Sequence, residues 1–147
     1  MADKTLILIL GALLLICAIQ DLFKKRVYVW VIGIGAVLTF VCLPFTEKLS
    51  VADCIGGLAV GLGTLLISKI TAGKIGMGDG ILLCVTGIGL GFWNNLELFG
   101  IALFLAAILS IFLLLLRIVD RKQSIPFIPF LFAGYIIIVI ASKGALV

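Results

Sequence analysis

Six apolar segments follow one another along the chain, separated by short polar stretches. They cover residues 6–20, 27–43, 51–70, 75–93, 96–116 and 126–141. A helix that crosses the hydrocarbon layer takes about 20 residues, so six crossings use roughly 120 of the 147 residues. The pattern therefore predicts an all-α polytopic membrane protein with six transmembrane helices, in a single domain over residues 1–147. It leaves no room for a sizeable soluble domain.

The composition agrees with a lipid environment. Of all residues, 64% are hydrophobic and 12% are charged, whereas a soluble domain has about 45–50% apolar and about 25% charged residues. A soluble core of this length cannot bury so much apolar side chain, because a small domain leaves a large share of its residues at the surface. The lipid bilayer is therefore an expected partner.

The distribution of lysine and arginine predicts how the chain is oriented. The first, third and fifth loops carry eight of the 11 basic residues: Lys24, Lys25, Arg26, Lys69, Lys74, Arg117, Arg121 and Lys122. The opposite side carries the other three: Lys4, Lys48 and Lys143. Because positive charge is concentrated in cytoplasmic loops, the pattern predicts both termini outside. The net charge of +4 then reflects membrane topology, and no nucleic-acid partner is expected.

The residue types that are absent exclude several kinds of active site. The chain has no histidine, which excludes Ser-His-Asp and Cys-His nucleophilic systems and imidazole or HExxH metal sites. No metal and no cofactor are expected. The four cysteines lie singly in apolar segments without CxxC spacing, and they are interpreted as packing residues: Cys17, Cys42, Cys54 and Cys84.

Glycines are concentrated in the third and fourth segments. Gly57 with Gly61, and Gly87 with Gly91, have the spacing that lets helix backbones approach closely in lipid, and they are interpreted as packing surfaces. Residues 73–80 contain four glycines in eight positions, which disfavours a helix. Irregular backbone at membrane depth is tolerated where it is buried in protein or lines a wet cavity, so this glycine-rich run is a candidate site.

Two of the seven carboxylates are candidates for a function within the membrane. Asp21 closes the first segment and Asp79 lies in the glycine-rich run, so both are predicted at the cytoplasmic end. Carboxylates at membrane depth are costly and therefore functional candidates, although Asp21 has the alternative of pairing with Lys24 or Lys25. Asp53 is expected to cap the third helix. The remaining four are expected to be solvated: Asp3, Glu47, Glu97 and Asp120.

Two carboxylates at the same depth suggest hydrolytic chemistry. When a pair shares one site, repulsion between like charges favours one ionised and one protonated group. The ionised group takes a proton from an attacking water while the protonated group polarises an amide carbonyl. Asp21 and Asp79 are therefore the candidate catalytic residues of a peptidase that needs no histidine, serine, cysteine or metal, and they are expected to titrate as a unit.

Several motifs resemble those of polytopic aspartyl proteases. Gly76-Met77-Gly78-Asp79 is similar to the GxGD motif of prepilin peptidases, preflagellin peptidases, presenilin and signal peptide peptidase. The aspartate before a basic cluster, at residues 21–26, resembles the prepilin peptidase (type IV leader peptidase) family in particular. Residues 124–134 resemble that family's IPFGPFLxxG stretch at the start of the last span, and Asp53 with Gly56-Gly57 fits its third-span entry. The resemblance covers nearly the whole chain.

The resemblance implies a membrane aspartyl endopeptidase, a hydrolase of the inner (plasma) membrane whose active site faces the cytoplasm. It implies a type IV prepilin or pseudopilin as substrate, cleaved where a positively charged leader meets a hydrophobic helix, in type IV pilus assembly or protein secretion. Asp21 and Asp79 are the catalytic pair in this comparison. Gly76 and Gly78 are predicted to bind substrate by letting its extended backbone approach closely. Methyl transfer is not expected, because nothing here corresponds to the cysteine-containing domain of bifunctional members.

The sequence departs from the family pattern at three places. Val27-Tyr28-Val29 stands where the family continues with a basic residue and IPN, Ile81 stands where a lysine is usual, and Ile128 stands for the glycine of IPFGPF. Both aspartates are present, so the expected hydrolysis is unaffected. Substrate fit and local helix geometry are expected to differ.

Two other classes of protein remain open on the residues alone. An ion-coupled membrane transporter also uses paired intramembrane aspartates, but such proteins often contain repeated spans, and the first and last three segments show no convincing repeat. A structural component of a secretion apparatus would use the aspartates in helix pairing and would tolerate Asp→Asn. An assay of peptide cleavage and an assay of uptake into vesicles distinguish a protease from a transporter.

Overall fold

The computed structural model describes residues 2–24, 27–46, 49–71, 76–116 and 126–144. These residues form six α-helices, which are α1 (Ala2–Lys24), α2 (Val29–Cys42), α3 (Val51–Ile70), α4 (Met77–Leu90), α5 (Phe92–Leu115) and α6 (Ile128–Gly144). A short 3₁₀ turn, Leu43–Phe45, follows α2. Each predicted apolar segment coincides over most of its length with one helix. The described part of the chain contains no strand, and the predicted all-α fold is confirmed.

The six helices differ in length. Three are long and apolar enough to cross a membrane: Lys4–Lys24, Val51–Ile70 and Phe92–Leu115. The other three are apolar but shorter: Val29–Phe45, Met77–Leu90 and Ile128–Ser142. The 14 residues of α4 measure roughly 21 Å at about 1.5 Å per residue, which is less than the hydrocarbon thickness of about 30 Å. Length and composition thus identify three candidate spans and three shorter apolar helices.

Helices α3 and α4 pack backbone to backbone through glycine. A Cβ atom on Gly57 would overlap the carbonyl group of Gly87, and a Cβ atom on Gly61 would overlap the backbone of Cys84. Helices approach this closely only where one of them lacks a side chain. The predicted packing role is therefore confirmed for these three glycines, and it fixes α4 firmly on α3.

Gly91 alone separates α4 from α5. Its φ of +80° is a left-handed conformation that glycine adopts without strain. Gly91 therefore ends α4 and turns the chain, and it does not extend a glycine packing face with Gly87 as its spacing predicted. The turn is so tight that Asn94 and Asn95 already lie in the first turn of α5, although they fall between the predicted fourth and fifth segments.

Asn95 is fully buried and joins three helices. Its Nδ2 atom donates hydrogen bonds to the carbonyl groups of Gly57 in α3 and Leu83 in α4, both at 3.1 Å. Its Oδ1 atom accepts a hydrogen bond from the Thr86 hydroxyl at 2.9 Å. A buried amide left without these partners would cost about 1–3 kcal/mol. The side chain therefore holds α5 in one position against the α3–α4 pair.

Helix α1 contacts α2, α4 and α6. On α2, Gly35 leaves the space that the Leu13 side chain fills, 2.5 Å from where a Cβ atom would stand. On α4, Gly89 does the same for Leu10, at 2.8 Å. Leu10 is fully buried and Leu13 nearly so. These contacts fix the register of α1, and with it the position of the carboxylate near its end, relative to α4.

Candidate active site

Asp21 is buried near the end of α1, with an exposed fraction of 9%. Helix α1 continues to Lys24, so the backbone of Asp21 is held by helix on both sides. Its Oδ2 atom accepts a hydrogen bond at 3.2 Å from the main-chain N–H of Ile128, the first residue of α6. The N–H group of Phe127 also interacts with this carboxylate. Asp21 therefore joins the end of α1 to the beginning of α6.

The sequence left open the alternative that Asp21 forms an ion pair with Lys24 or Lys25. The Lys24 ammonium donates a hydrogen bond to the Tyr28 hydroxyl at 2.9 Å and lies 5.0 Å from the centre of its ring. This hydrogen bond lowers the pKa of the Tyr28 phenol. Lys25 lies outside the described residues. For Lys24, the structure supports a contact with Tyr28 and not the pairing with Asp21.

Asp79 lies in the first turn of α4, three residues after Gly76, the residue that precedes the helix. The Asp79 side chain is half-buried and its carboxylate lies over Gly76, since a Cβ atom on that glycine would be 2.9 Å from Oδ2. Within the described part of the chain, this carboxylate accepts no hydrogen bond. The missing side chain of Gly76 thus provides the space that the Asp79 carboxylate occupies.

The glycine-rich run is helical from Met77 onward, whereas irregular backbone was predicted. Gly80, in the first turn of α4, lies against Leu65 of α3, whose side chain would be 2.6 Å from an added Cβ atom. Glycine within a helix costs about 1 kcal/mol, and this close contact with α3 offsets that cost. Residues 73–75 of the run lie outside the described residues.

Gly78 faces the connection between α1 and α2. A Cβ atom added there would lie 3.7 Å from the Cβ atom of Val27, which is ordinary van der Waals contact. There is consequently room for a methyl group at Gly78, whereas a methyl group at Gly76 would require the Asp79 carboxylate to shift. The binding of substrate backbone by the two glycines stays a prediction, and their different surroundings allow it to be tested at each one separately.

The fold brings Asp21 and Asp79 together. Helices α1 and α4 are in contact, and the two carboxylates are close enough to interact electrostatically. Among the described residues, no three Cys, Asp or Glu side chains lie together as ligands for a metal ion. The arrangement is a pair of carboxylates in a poorly solvated place, which suits general acid–base chemistry on a water molecule.

The other carboxylates lie apart from this pair. Asp53 accepts a hydrogen bond from the main-chain N–H of Ser50 at 3.4 Å and so caps α3, which confirms the predicted structural role. Glu97 is exposed in the second turn of α5, and its solvation by water stays a prediction. The predictions for Asp3, Glu47 and Asp120 concern side chains outside the described part of the structure.

Two polar features of the structure were not found by sequence reasoning. The contact between Asp21 and Ile128 joins residues 107 positions apart and uses a main-chain donor, so no side-chain pattern indicates it. Asn95 carried one available signal, an uncharged polar residue at the edge of a long apolar run. Asn95 is buried because the chain turns tightly at Gly91. The predicted fourth segment ran through Gly91 to residue 93 and therefore placed no turn there.

The fold and the site together define a class, a helical membrane protein with two carboxylates held between neighbouring helices. A comparison with protein-family models narrows this class, because the model described as the type IV leader peptidase family matches residues 8–142. The chain therefore belongs to the type IV leader peptidase family, and the predicted resemblance is confirmed. Membership makes it a peptidase, that is, a hydrolase. A search of curated proteins and a search of solved structures found no match.

Proposed function

We propose that this chain is a membrane aspartyl endopeptidase that removes the positively charged leader of type IV prepilins or pseudopilins at the cytoplasmic face of the membrane. The observation that carries the proposal is the pairing of Asp21 and Asp79 in a chain that has no histidine and belongs to a peptidase family. Membership of a peptidase family favours hydrolysis over ion transport and over a purely structural role.

In the proposed reaction the two carboxyl groups share one proton. The ionised carboxylate removes a proton from water as the water oxygen attacks the scissile carbonyl carbon, and the protonated carboxyl group gives its proton to the carbonyl oxygen. The product of this step is a neutral diol. As the C–N bond breaks, the amide nitrogen takes a proton from the first carboxyl group, and a diol hydroxyl returns a proton to the second. The pair is then ready for another cycle.

The surroundings of Asp79 support access for an extended substrate. Gly76 is exposed, and Met77 has an exposed fraction of 59%, so the two residues that precede Gly78-Asp79 are accessible to an extended backbone. The basic cluster after Asp21 favours a cytoplasmic position for this end of α1. The junction between a basic leader and a hydrophobic helix lies at that same level of the membrane.

The experiment is coexpression of the chain with a prepilin, with leader removal followed by gel shift and mass spectrometry. The native chain is compared with Asp21→Asn, Asp79→Asn and the control Asp53→Asn. The control makes the same chemical change at Asp53, where the side-chain oxygen of asparagine can still accept the hydrogen bond from the Ser50 N–H. Cleavage is expected from the native chain and the control and from neither of the other two variants.

Other outcomes would contradict the proposal in different ways. Cleavage that persists in Asp21→Asn or Asp79→Asn would exclude the paired-carboxylate mechanism. A native chain that cleaves no prepilin, but supports ion uptake into vesicles that depends on both aspartates, would identify the transporter alternative.

A further inference from the structure

The beginning of α6 has main-chain donors that the helix itself cannot satisfy. The carbonyl group of Phe127 accepts hydrogen bonds from the N–H groups of Phe130 and Leu131, at 3.0 and 3.3 Å, so Phe127 occupies the position before the helix. The N–H of Ile128 therefore has no acceptor within α6, as is general for the first residues of a helix. The Phe127 side chain has no oxygen with which to cap the helix.

The acceptor comes from another helix. Oδ2 of Asp21 in α1 accepts the hydrogen bond of the Ile128 N–H, and both residues are buried. A carboxylate at a helix N-terminus also interacts favourably with the positive end of the helix dipole. One contact thus satisfies the donor of α6 and restrains the orientation of the Asp21 side chain.

A second contact between α6 and α1 holds α6 in the position that the hydrogen bond from Ile128 to Asp21 requires. Tyr135, two turns after Ile128, donates a hydrogen bond from its hydroxyl to the carbonyl of Ile7 at 2.6 Å. Its ring lies against Gly11, where an added Cβ atom would be 3.2 Å away. Helices α1 and α6 therefore meet at two points on one face of each helix, and a shift of α6 along α1 would break both contacts.

The two carboxylates of the site are held differently. Asp21 has a main-chain donor, whereas the Asp79 carboxylate accepts no hydrogen bond within the described residues and rests over Gly76. We propose that the first turn of α6 is a positioning element for the reaction, and that the Ile128 N–H holds Asp21 in the orientation in which it serves as the ionised, water-activating partner. This inference rests on the proposed function and adds α6 to the structures that the reaction needs.

The experiment removes the main-chain N–H of Ile128 while keeping helix α6 intact. Proline has no N–H and is well accepted at the first position of a helix, so Ile128→Pro deletes the Ile128 donor to Asp21 and leaves the Phe127 N–H in place. Ile128→Ala is the matched control, because it keeps the donor and loses more of the buried side chain. Both variants are purified in detergent, their helix content and unfolding are compared by circular dichroism, and kcat and KM are measured on a purified prepilin.

A hydrogen bond to a charged group is strong enough that its loss is expected to lower kcat by roughly ten- to a hundredfold relative to Ile128→Ala, with KM changed less than about threefold. Tyr135→Phe, which removes only the contact to Ile7, is expected to lower kcat less than Ile128→Pro. Equal kcat values for Ile128→Pro and Ile128→Ala, with an active native chain, would overturn the positioning role.

A second readout does not depend on peptidase activity. The amide proton of Ile128 is observed by NMR in the ¹⁵N-isoleucine-labelled full chain, and its signal is identified by its disappearance in Ile128→Val. Asp21→Ala is expected to move this signal to higher field, because the hydrogen bond is lost, and Asp79→Ala is expected to move it less. A signal unmoved by Asp21→Ala would overturn the inference even if the native chain cleaves no prepilin, an outcome that would separately contradict the proposed function.

Discussion

Replacing Gly57 by alanine is expected to separate α3 from α4 and to destabilise the protein. The added Cβ atom would overlap the carbonyl group of Gly87, which is backbone and cannot move away by changing a rotamer. Gly63→Ala is the matched control, because it makes the same change in the same helix at a position with nothing within 4 Å of the new atom. Any difference between the two variants therefore reports the contact with α4.

The magnitude follows from two terms that act only at Gly57. Forcing an extra carbon into a packed interface costs about 1–3 kcal/mol. Moving α3 away from α4 also lengthens the hydrogen bond from Asn95 to the Gly57 carbonyl, now 3.1 Å, which is worth about 1 kcal/mol. The gain in helix propensity, up to about 1 kcal/mol, is the same in both variants and cancels. Gly57→Ala should therefore be less stable than Gly63→Ala by roughly 2–4 kcal/mol.

The assay is unfolding by a denaturing detergent, followed by circular dichroism and tryptophan fluorescence, with the free energy of unfolding obtained for each variant. Because Asp79 lies on α4, Gly57→Ala is also expected to reduce prepilin cleavage, while Gly63→Ala keeps it. Equal unfolding free energies for the two variants would refute the backbone contact between α3 and α4. Lower stability with full cleavage would refute the dependence of the site on that contact.

Four further predictions concern the candidate active site and the contacts that support it. Gly76→Ala is expected to lower kcat for prepilin cleavage by about tenfold, because the methyl group displaces the Asp79 carboxylate by a few tenths of an ångström or more. Gly78→Ala, which has room for a methyl group, is expected to raise KM instead, and unchanged kinetics in either variant would refute that glycine's role. Asn95→Ala is expected to lower the free energy of unfolding by about 1–3 kcal/mol, and an unchanged unfolding curve would contradict its role in joining helices. The pH–rate profile is expected to be bell-shaped, because activity is lost at low pH when both carboxyl groups are protonated and at high pH when both are ionised; a profile with one limb would contradict a shared proton.

Much of the fold was predictable because its determinants are local. A lipid-exposed helix satisfies its own backbone hydrogen bonds, so an apolar segment of sufficient length specifies a helix whatever its neighbours are. The helix α3 begins and ends where its apolar segment does, at Val51 and Ile70. The prediction was wrong at the glycine-rich run, which is helical from Met77 because α3 packs closely against it. The contact of Gly80 with Leu65 of α3 outweighs the low helix propensity of glycine.

The sequence by itself determined the helical class, the packing role of Gly57, Gly61 and Gly87 and the two aspartates that carry the candidate chemistry. These follow from residue types and from spacings within one segment. Only the tertiary structure decided that Asp21 is bound by the first turn of α6, that Gly76 lies under Asp79 while Gly78 faces Val27, and that Asn95 is buried. Each of these depends on how helices far apart in the chain are placed against one another, and a displacement of a single turn, about 5 Å, would give every one of them a different partner.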